Sequence, residues 1–119
     1  MSKTVVIGAS PDSSKYSYKC VRSLLKHGHE VVPVGKKEGT IEGIEILTGK
    51  PRIQGVHTVT IYLTPDNQKE YYDYILGLNP SRIILNPGTN NQELIDLAKL
   101  KGIEVVTDCT LILLSSDAF

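Results

Sequence analysis

Short apolar segments alternate with helical patterns along most of the chain. The first, Lys3–Gly8, is an almost unbroken apolar run, which is typical of a strand buried on both faces of a parallel sheet. Four later segments have strand length and are bounded by glycine, proline or polar turns. The sequence therefore predicts five strands, at Lys3–Gly8, Glu30–Val34, Thr58–Leu63, Arg82–Leu85 and Ile103–Thr107.

Residues at helical spacing lie between these strands. The first helical pattern ends with basic residues and Gly28, which is typical of a helix C-terminus. The first predicted helix runs from about Tyr18 to His27, and the second is capped by Thr64, has Pro65 as its first residue and ends at about Leu78. The third begins at a capping pair, Asn90 and Glu93, and is stopped by Gly102. The fourth is the apolar tail Cys109–Leu114. Residues 40–54 are less regular, and Ile44–Ile46 fits either a short strand or an extended segment over the sheet.

This alternation of strands and helices predicts a parallel sheet built with right-handed crossovers. We expect an α/β fold, a Rossmann-like three-layer sandwich with a five-stranded parallel sheet, formed by residues 1–119 as a single domain. In such sheets ligands bind outside the carboxyl ends of the strands, at the point where the strand order reverses. The loops after the strands are therefore the first place to search for a site.

Composition narrows the functional classes. The formal net charge is zero, so the chain has no general attraction to nucleic acid or membrane. No apolar run approaches the roughly 20 residues that span a bilayer, and the N-terminus lacks a signal-peptide pattern, so we expect a cytoplasmic protein. Cys20 and Cys109 do not form a C-x-x-C pair, and the three histidines lack metal-ligand spacing, so no metal site is predicted.

The loop after the first strand has the arrangement of a phosphate site. Gly8-Ala9-Ser10 and a polar run lead into the first helix, so backbone N–H groups and the positive end of a helix meet there. The loop lacks the G-x-G-x-x-G pattern, and Gly35 and Lys36 follow the second strand where NAD-binding proteins place an acidic residue. This argues against NAD and leaves NADP and coenzyme A, which both carry a phosphate on the adenosine ribose.

No motif for catalysis accompanies this loop. The sequence contains neither the Walker A pattern nor G-x-S-x-G, so ATP hydrolysis and a serine nucleophile are not supported. We assign no catalytic residue.

Several short motifs, taken in order, match a known family. They are V-I-G-A-S ending at Ser10, K-Y-S-Y at Lys15–Tyr18, the segment Leu25–Gly35, Y-L-T-P at Tyr62–Pro65, N-P-G-T at Asn86–Thr89 and the final segment from Gly102. Together they cover nearly the whole chain. The sequence resembles the small Rossmann-type CoA-binding proteins, which are related to the amino-terminal domain of the succinyl-CoA synthetase α subunit.

The resemblance implies roles for particular residues. It implies that the CoA diphosphate is held by Gly8, Ala9 and Ser10, with help from Lys15 and Ser17. It implies that the adenosine and its 3′-phosphate are received by Pro33, Val34, Gly35 and Lys36. The path of the adenine and pantetheine would be lined by Leu63, Thr64, Pro65, Pro87 and Gly88. The chain departs from the family at Gly35-Lys36, where many members have asparagine and proline, and at Asp108-Cys109-Thr110, where many have D-R-C. The synthetase's ligase activity is not implied.

Three functional hypotheses follow. The first is a protein that binds CoA or an acyl-CoA without catalysis, as a sensor, carrier or accessory protein. The second is an NADP-binding oxidoreductase or a subunit of one, and the third is a regulatory protein whose nucleotide site has decayed. The expected partner is a small CoA ligand, with neither nucleic acid nor membrane, and the apolar segment Leu111–Leu114 would serve the core or a homodimer or other protein contact. Cys109 is expected near the mouth of the pocket, most simply as a packed thiol.

Overall fold

The computed structural model describes residues 2–119, which form seven strands and five helices. The strands are β1 (Lys3–Ile7), β2 (Glu30–Val34), β3 (Thr40–Ile41), β4 (Ile44–Glu45), β5 (Thr58–Ile61), β6 (Arg82–Leu85) and β7 (Glu104–Thr107). The helices are α1 (Tyr16–Lys26), α2 (Pro65–Gln68), α3 (Tyr72–Gly77), α4 (Gln92–Leu100) and α5 (Thr110–Ser115), with a 3₁₀ turn at Lys69–Tyr71. Within this described part of the chain, no helix is both long and apolar enough to cross a bilayer.

Five of these strands form one parallel sheet in the order β2-β1-β5-β6-β7. The chain first moves from β1 to one side of the sheet and then crosses to the other side at β5. The strand order therefore reverses between β1 and β5, which places a crevice between their carboxyl ends. The two short strands β3 and β4 form a separate antiparallel hairpin.

Helices cover both faces of this sheet, which confirms the predicted Rossmann-like three-layer sandwich. One apolar cluster joins the sheet to α3 and α4 through Ile75, Leu94 and Ala98. The other joins it to α1 and α5 through Leu24 and Leu114. Because both faces are covered, the middle strands are buried throughout, which explains why the first strand reads as an apolar run.

The structure corrects several predicted boundaries. β5 ends at Ile61 rather than Leu63, and α1 begins at Tyr16 rather than Tyr18. The predicted long second helix is interrupted by the 3₁₀ turn, so it forms two short helices. The predicted capping pair of Asn90 and Glu93 is wrong, because the side chain of Asn91 accepts the hydrogen bond from the amide of Leu94. Of the two alternatives for Ile44–Ile46, the structure has the short strand, as β4.

The loops that follow β1 and β2 are bound tightly to each other. The carbonyl oxygen of Val34 accepts hydrogen bonds from the amides of Gly8 and Ala9, both at 2.9 Å. Gly35 is buried, and a Cβ atom at this residue would overlap the carbonyl oxygen of Ala9. Since that oxygen belongs to the backbone of the first loop, it cannot move aside without moving the loop.

We therefore expect Gly35→Ala to destabilise the protein by about 2 kcal/mol or more, as a core overpacking does. The free energy of unfolding, measured by urea denaturation, tests this. Gly77→Ala is the matched control, because Gly77 ends α3 with no atom near its added Cβ and its φ lies outside the left-handed region. The control should change stability by less than about 1 kcal/mol. Equal stability of the two variants would contradict the close contact of the two loops.

Candidate functional site

The polar loop between β1 and α1 is held by its own hydrogen bonds. Ser10 Oγ accepts from the amide of Asp12, whose carboxylate in turn accepts from the amide of Ser14 at 2.9 Å and its hydroxyl at 2.7 Å. These bonds from Ser14, helped by the positive charges of Lys15 and Lys37, hold the pKa of Asp12 below its ordinary value. The loop is therefore shaped by the protein alone, and its one carboxylate is already bonded within it.

The N-terminus of α1 lacks a cap. Lys15 occupies the N-cap position with an extended backbone and gives no side-chain hydrogen bond to the helix, and the first turn contains no acidic residue. Among residues 2–119, none accepts a hydrogen bond from the amides of Tyr16, Ser17 or Tyr18. Free N–H groups at the positive end of a helix bind anions, so this end of α1 is suited to a phosphate.

Lysine side chains surround this end of the sheet. Lys15, Lys36 and Lys37 are all exposed. Lys36 Nζ lies 3.8 Å from a carboxylate oxygen of Glu70, but both side chains are more than half exposed, so this ion pair is weak. Lys36 can therefore turn toward a ligand phosphate at little cost.

The loops after β5 and β6 are joined by a buried amide network. Gln68 is fully buried, and its Nε2 donates to the carbonyl oxygens of Leu63 and Thr89, both at 2.8 Å. Its Oε1 accepts from Asn91 Nδ2 at 3.0 Å. The network fixes the two loops that carry Leu63 and Gly88 relative to each other. These bonds join residues up to 23 positions apart, so no local sequence pattern indicates them.

Asn86 has a similar role beside them. Its Nδ2 donates to Thr60 Oγ1 and to the carbonyl oxygen of Ile61, and its Oδ1 accepts from the amide and the hydroxyl of Thr110. The four distances lie between 2.7 and 2.9 Å. Asn86 therefore ties the ends of β5 and β6 to the start of α5, and its side chain has no bonding capacity left for a ligand.

A cavity of about 510 Å³ opens at this edge of the sheet, with a predominantly apolar lining. Its lining residues are Tyr16, Tyr62, Asn86, Pro87, Cys109, Leu111 and Ile112. Tyr16 also begins α1, so the cavity adjoins the uncapped helix end. Volume and lining are those of a small-molecule site.

The polar groups around the cavity differ in accessibility. Cys20 is fully buried, and burial raises the pKa of its thiol to about 12. Burial, and then the neighbouring Cys20 thiol, raises the pKa of Tyr62 well above its ordinary value. The Tyr62 hydroxyl oxygen is buried and has no well-aligned hydrogen bond within residues 2–119. Cys109 is a free, partly exposed cysteine, so its side chain is the one of these three polar groups that solvent can reach.

The predicted site residues all lie at the carboxyl edge of the sheet, but not all of them have atoms free for binding. Pro33 and Val34 are buried, and their carbonyl oxygens accept hydrogen bonds from the chain itself. The amides of Gly8 and Ala9 are likewise used, by Val34. The available groups at the edge are the following: the amides of α1, the side chains of Lys15 and Lys36, the backbone at Ser10, and the loop residues Leu63, Thr64, Pro65, Pro87 and Gly88.

Four residues that line the cavity were not among the predicted site residues: Tyr16, Tyr62, Leu111 and Ile112. Because the helix was predicted to start two residues late, Tyr16 was placed in the loop. The apolar tail carried a signal, because Leu111 and Ile112 of α5 both line the cavity and Ile112 is 60% exposed. Within residues 2–119, no three histidine, cysteine or acidic side chains lie close enough to hold a metal ion.

The fold and the helix end at its switch point define an α/β protein of Rossmann-like type. Residues 2–115 match the family described as CoA binding domain, and the chain belongs to that family. No curated protein matches the chain significantly.

Solved structures show the same fold. A crystal structure of an uncharacterized protein is 47% identical, with a TM-score of 0.98 over 100% of this chain and 98% of the other. A Thermus thermophilus protein is 24% identical, with a TM-score of 0.85 over 99% of this chain and 91% of the other. The Ca. Korarchaeum cryptofilum acetyl-coenzyme A synthetase 1, solved with phosphate and ADP, is 21% identical, with a TM-score of 0.73 over 90% of this chain and 25% of the enzyme. The last two likenesses concern the fold.

The accessibility of the two cysteines gives a test of the cavity. In the folded protein we expect iodoacetamide to modify Cys109 and not Cys20, because Cys20 is fully buried with a raised pKa. Mass spectrometry should show one modification per native chain and two after unfolding in guanidinium chloride. Cys109→Ser should remove the native modification, whereas Cys20→Ala should preserve it. Rapid modification of Cys20 in the folded wild type would show that the wall beside Tyr62 is open.

Proposed function

We propose that this protein binds coenzyme A through the loop and helix that follow β1, without catalysing a reaction on it, and that residues 1–119 act as one binding domain. The observation that carries the proposal is the uncapped N-terminus of α1, with three free amides beside exposed lysines. Membership of the CoA binding domain family supports CoA as the ligand in general. A role as sensor, carrier or accessory protein fits binding without catalysis.

The proposed contacts follow the edge of the sheet. The diphosphate would lie at the free amides of α1, against the backbone of Gly8, Ala9 and Ser10. Lys15 would lie beside it, and Ser17, which is buried, would contribute its amide. The adenosine and its 3′-phosphate would be held by Pro33, Val34, Gly35 and Lys36. The adenine and pantetheine would lie along Leu63, Thr64, Pro65, Pro87 and Gly88. Of the first group, Lys36 is the residue free to bind, since Pro33, Val34 and Gly35 are buried and the Gly35 amide donates to the carbonyl oxygen of Leu47.

A non-catalytic role is supported by the chemistry of the cavity. The phenol of Tyr62 has a raised pKa and stays neutral at physiological pH, so it cannot act as a base. Asn86 is held by four internal hydrogen bonds. Neither group is arranged to receive a proton from a substrate.

The N-terminus of α1 allows a test that removes one donor and leaves the helix intact. Proline is tolerated as the first residue of a helix, and Lys15 already has the extended backbone that a following proline requires. Tyr16→Pro therefore deletes a free N–H, whereas Tyr16→Ala removes the same ring and keeps the N–H. We expect the proline variant to bind CoA roughly tenfold more weakly than the alanine variant, the effect of one charge-assisted hydrogen bond. Isothermal titration calorimetry measures the difference.

Thermal unfolding is the control for this comparison, and the two variants should have similar melting temperatures because the deleted N–H has no partner in the protein. Equal CoA affinities at equal stability would show that the diphosphate does not lie at this helix end. Micromolar binding of NADPH without binding of CoA would overturn the proposed function as a whole.

Lys36 is expected to read the ribose phosphate. Lys36→Glu should weaken CoA by about tenfold and dephospho-CoA by about twofold or less, because only CoA carries the 3′-phosphate that meets the reversed charge. Lys99→Glu is the matched control, since Lys99 is exposed in the last turn of α4, at the opposite end of the sheet. Calorimetric titrations of both ligands compare the variants. Equal losses for CoA and dephospho-CoA in Lys36→Glu would assign the 3′-phosphate to another group.

A further inference from the structure

We infer that the apolar cavity between α1 and α5 holds the acyl chain of a CoA thioester, so that the protein is selective for straight-chain acyl-CoA over free CoA. This inference rests on the proposed function, because the cavity would receive only the far end of a ligand that is anchored by its phosphates. Binding of CoA at the phosphate site does not by itself require an acyl chain in the cavity.

The lining of the cavity favours an apolar occupant. Leu111, Ile112, Pro87 and the rings of Tyr16 and Tyr62 form most of its wall. Ile112 is 60% exposed and Tyr16 is 69% exposed, so both present apolar surface to solvent at the rim of the cavity. An acyl chain placed there would remove this surface from water, and the hydrophobic effect would stabilise the complex.

The polar groups of the cavity do not suit a polar occupant. Asn86 uses both side-chain atoms in internal hydrogen bonds. The Tyr62 hydroxyl oxygen is buried beside Cys20 and Thr110, so it is not exposed to the cavity. Cys109 contributes a small, weakly polar thiol. A ligand group that needs several hydrogen bonds would lose them on entering, whereas a hydrocarbon chain has none to lose.

The position of the cavity explains how a thioester reaches it. Tyr16 carries one of the free amides at the phosphate site and also lines the cavity. Pro87 follows β6, which lies two strands from β1 in the sheet, and it lines the same cavity. A pantetheine arm that leaves the diphosphate along this edge would therefore deliver its sulfur atom toward Cys109, with the cavity beyond it.

Calorimetric titration with CoA, butyryl-CoA, hexanoyl-CoA and octanoyl-CoA tests the inference. We expect affinity to rise by about three- to four-fold for each fully buried methylene until the cavity is full, so that octanoyl-CoA binds about tenfold or more tightly than CoA. The same affinity for all four ligands would overturn the inference and leave the proposed function standing. Absence of binding by any of them would overturn the proposed function itself.

A pair of variants locates the chain in the cavity. Ile112→Asp places a charge at the rim and should lower the affinity for octanoyl-CoA by about tenfold, while leaving the affinity for free CoA nearly unchanged. Leu100→Asp is the matched control, because Leu100 is 85% exposed at the end of α4 and does not line the cavity. If the two variants had the same effect on octanoyl-CoA, the acyl chain would have to lie elsewhere.

Two further readouts complete the test. At saturating ligand, octanoyl-CoA should slow iodoacetamide modification of Cys109 more than acetyl-CoA does, since only the longer chain fills the space beside the thiol.

Analytical ultracentrifugation tests whether a second copy of the chain covers the rim of the cavity instead. A wild-type dimer that becomes a monomer in Ile112→Asp, with the chain-length dependence unaltered, would show a contact between two copies and overturn the inference.

Discussion

The geometry of the carboxyl edge of the sheet depends on the carbonyl oxygen of Val34, which accepts hydrogen bonds from the amides of Gly8 and Ala9. This paired bond turns the first loop over the end of β2, and Gly35 lies directly beneath it because no Cβ fits there. The loop is thereby directed toward α1 with its first two amides already satisfied. The free donors are therefore the amides in the first turn of the helix, where we propose that the diphosphate of the ligand binds.

The chain treats two of its helix ends differently. Asn91 caps α4 by accepting a hydrogen bond from the amide of Leu94, and it is itself held by the buried Gln68. The N-terminus of α1 lies at the switch point of the sheet. Its N-cap residue, Lys15, makes no capping hydrogen bond, and the amides of its first turn are free. A helix end left open in this way is less stable on its own, by about 1 kcal/mol for a missing cap. This pattern fits a retained binding site better than a decayed one, which would be free to acquire a cap.

Local patterns were sufficient to predict the fold because the information lies within each segment. The buried run that ends at Ile7 and the glycine stop at Gly28 are both local signals, and the parallel order follows from their alternation. The start of α1 was misplaced for a physical reason, since a helix without a capping residue has no N-terminal signature. The cavity and the amide network around Gln68 could not be predicted, because they depend on contacts between loops that are distant in sequence and meet only in the folded sheet.

The edge of the sheet combines two chemistries that are rarely required by one ligand. Next to α1 it offers free amides and lysine charges, and next to α5 it offers a largely apolar cavity whose amide, Asn86, is already fully bonded. NADP would satisfy the first part, but in the second the Asn86 amide has no bonding capacity left for the carboxamide of its nicotinamide. A CoA thioester places phosphates at one end and hydrocarbon at the other, with a flexible arm long enough to join them. The chemistry of the cavity thus supports the proposed CoA ligand over NADP. This support comes from the far end of the ligand and does not depend on Lys36 after β2.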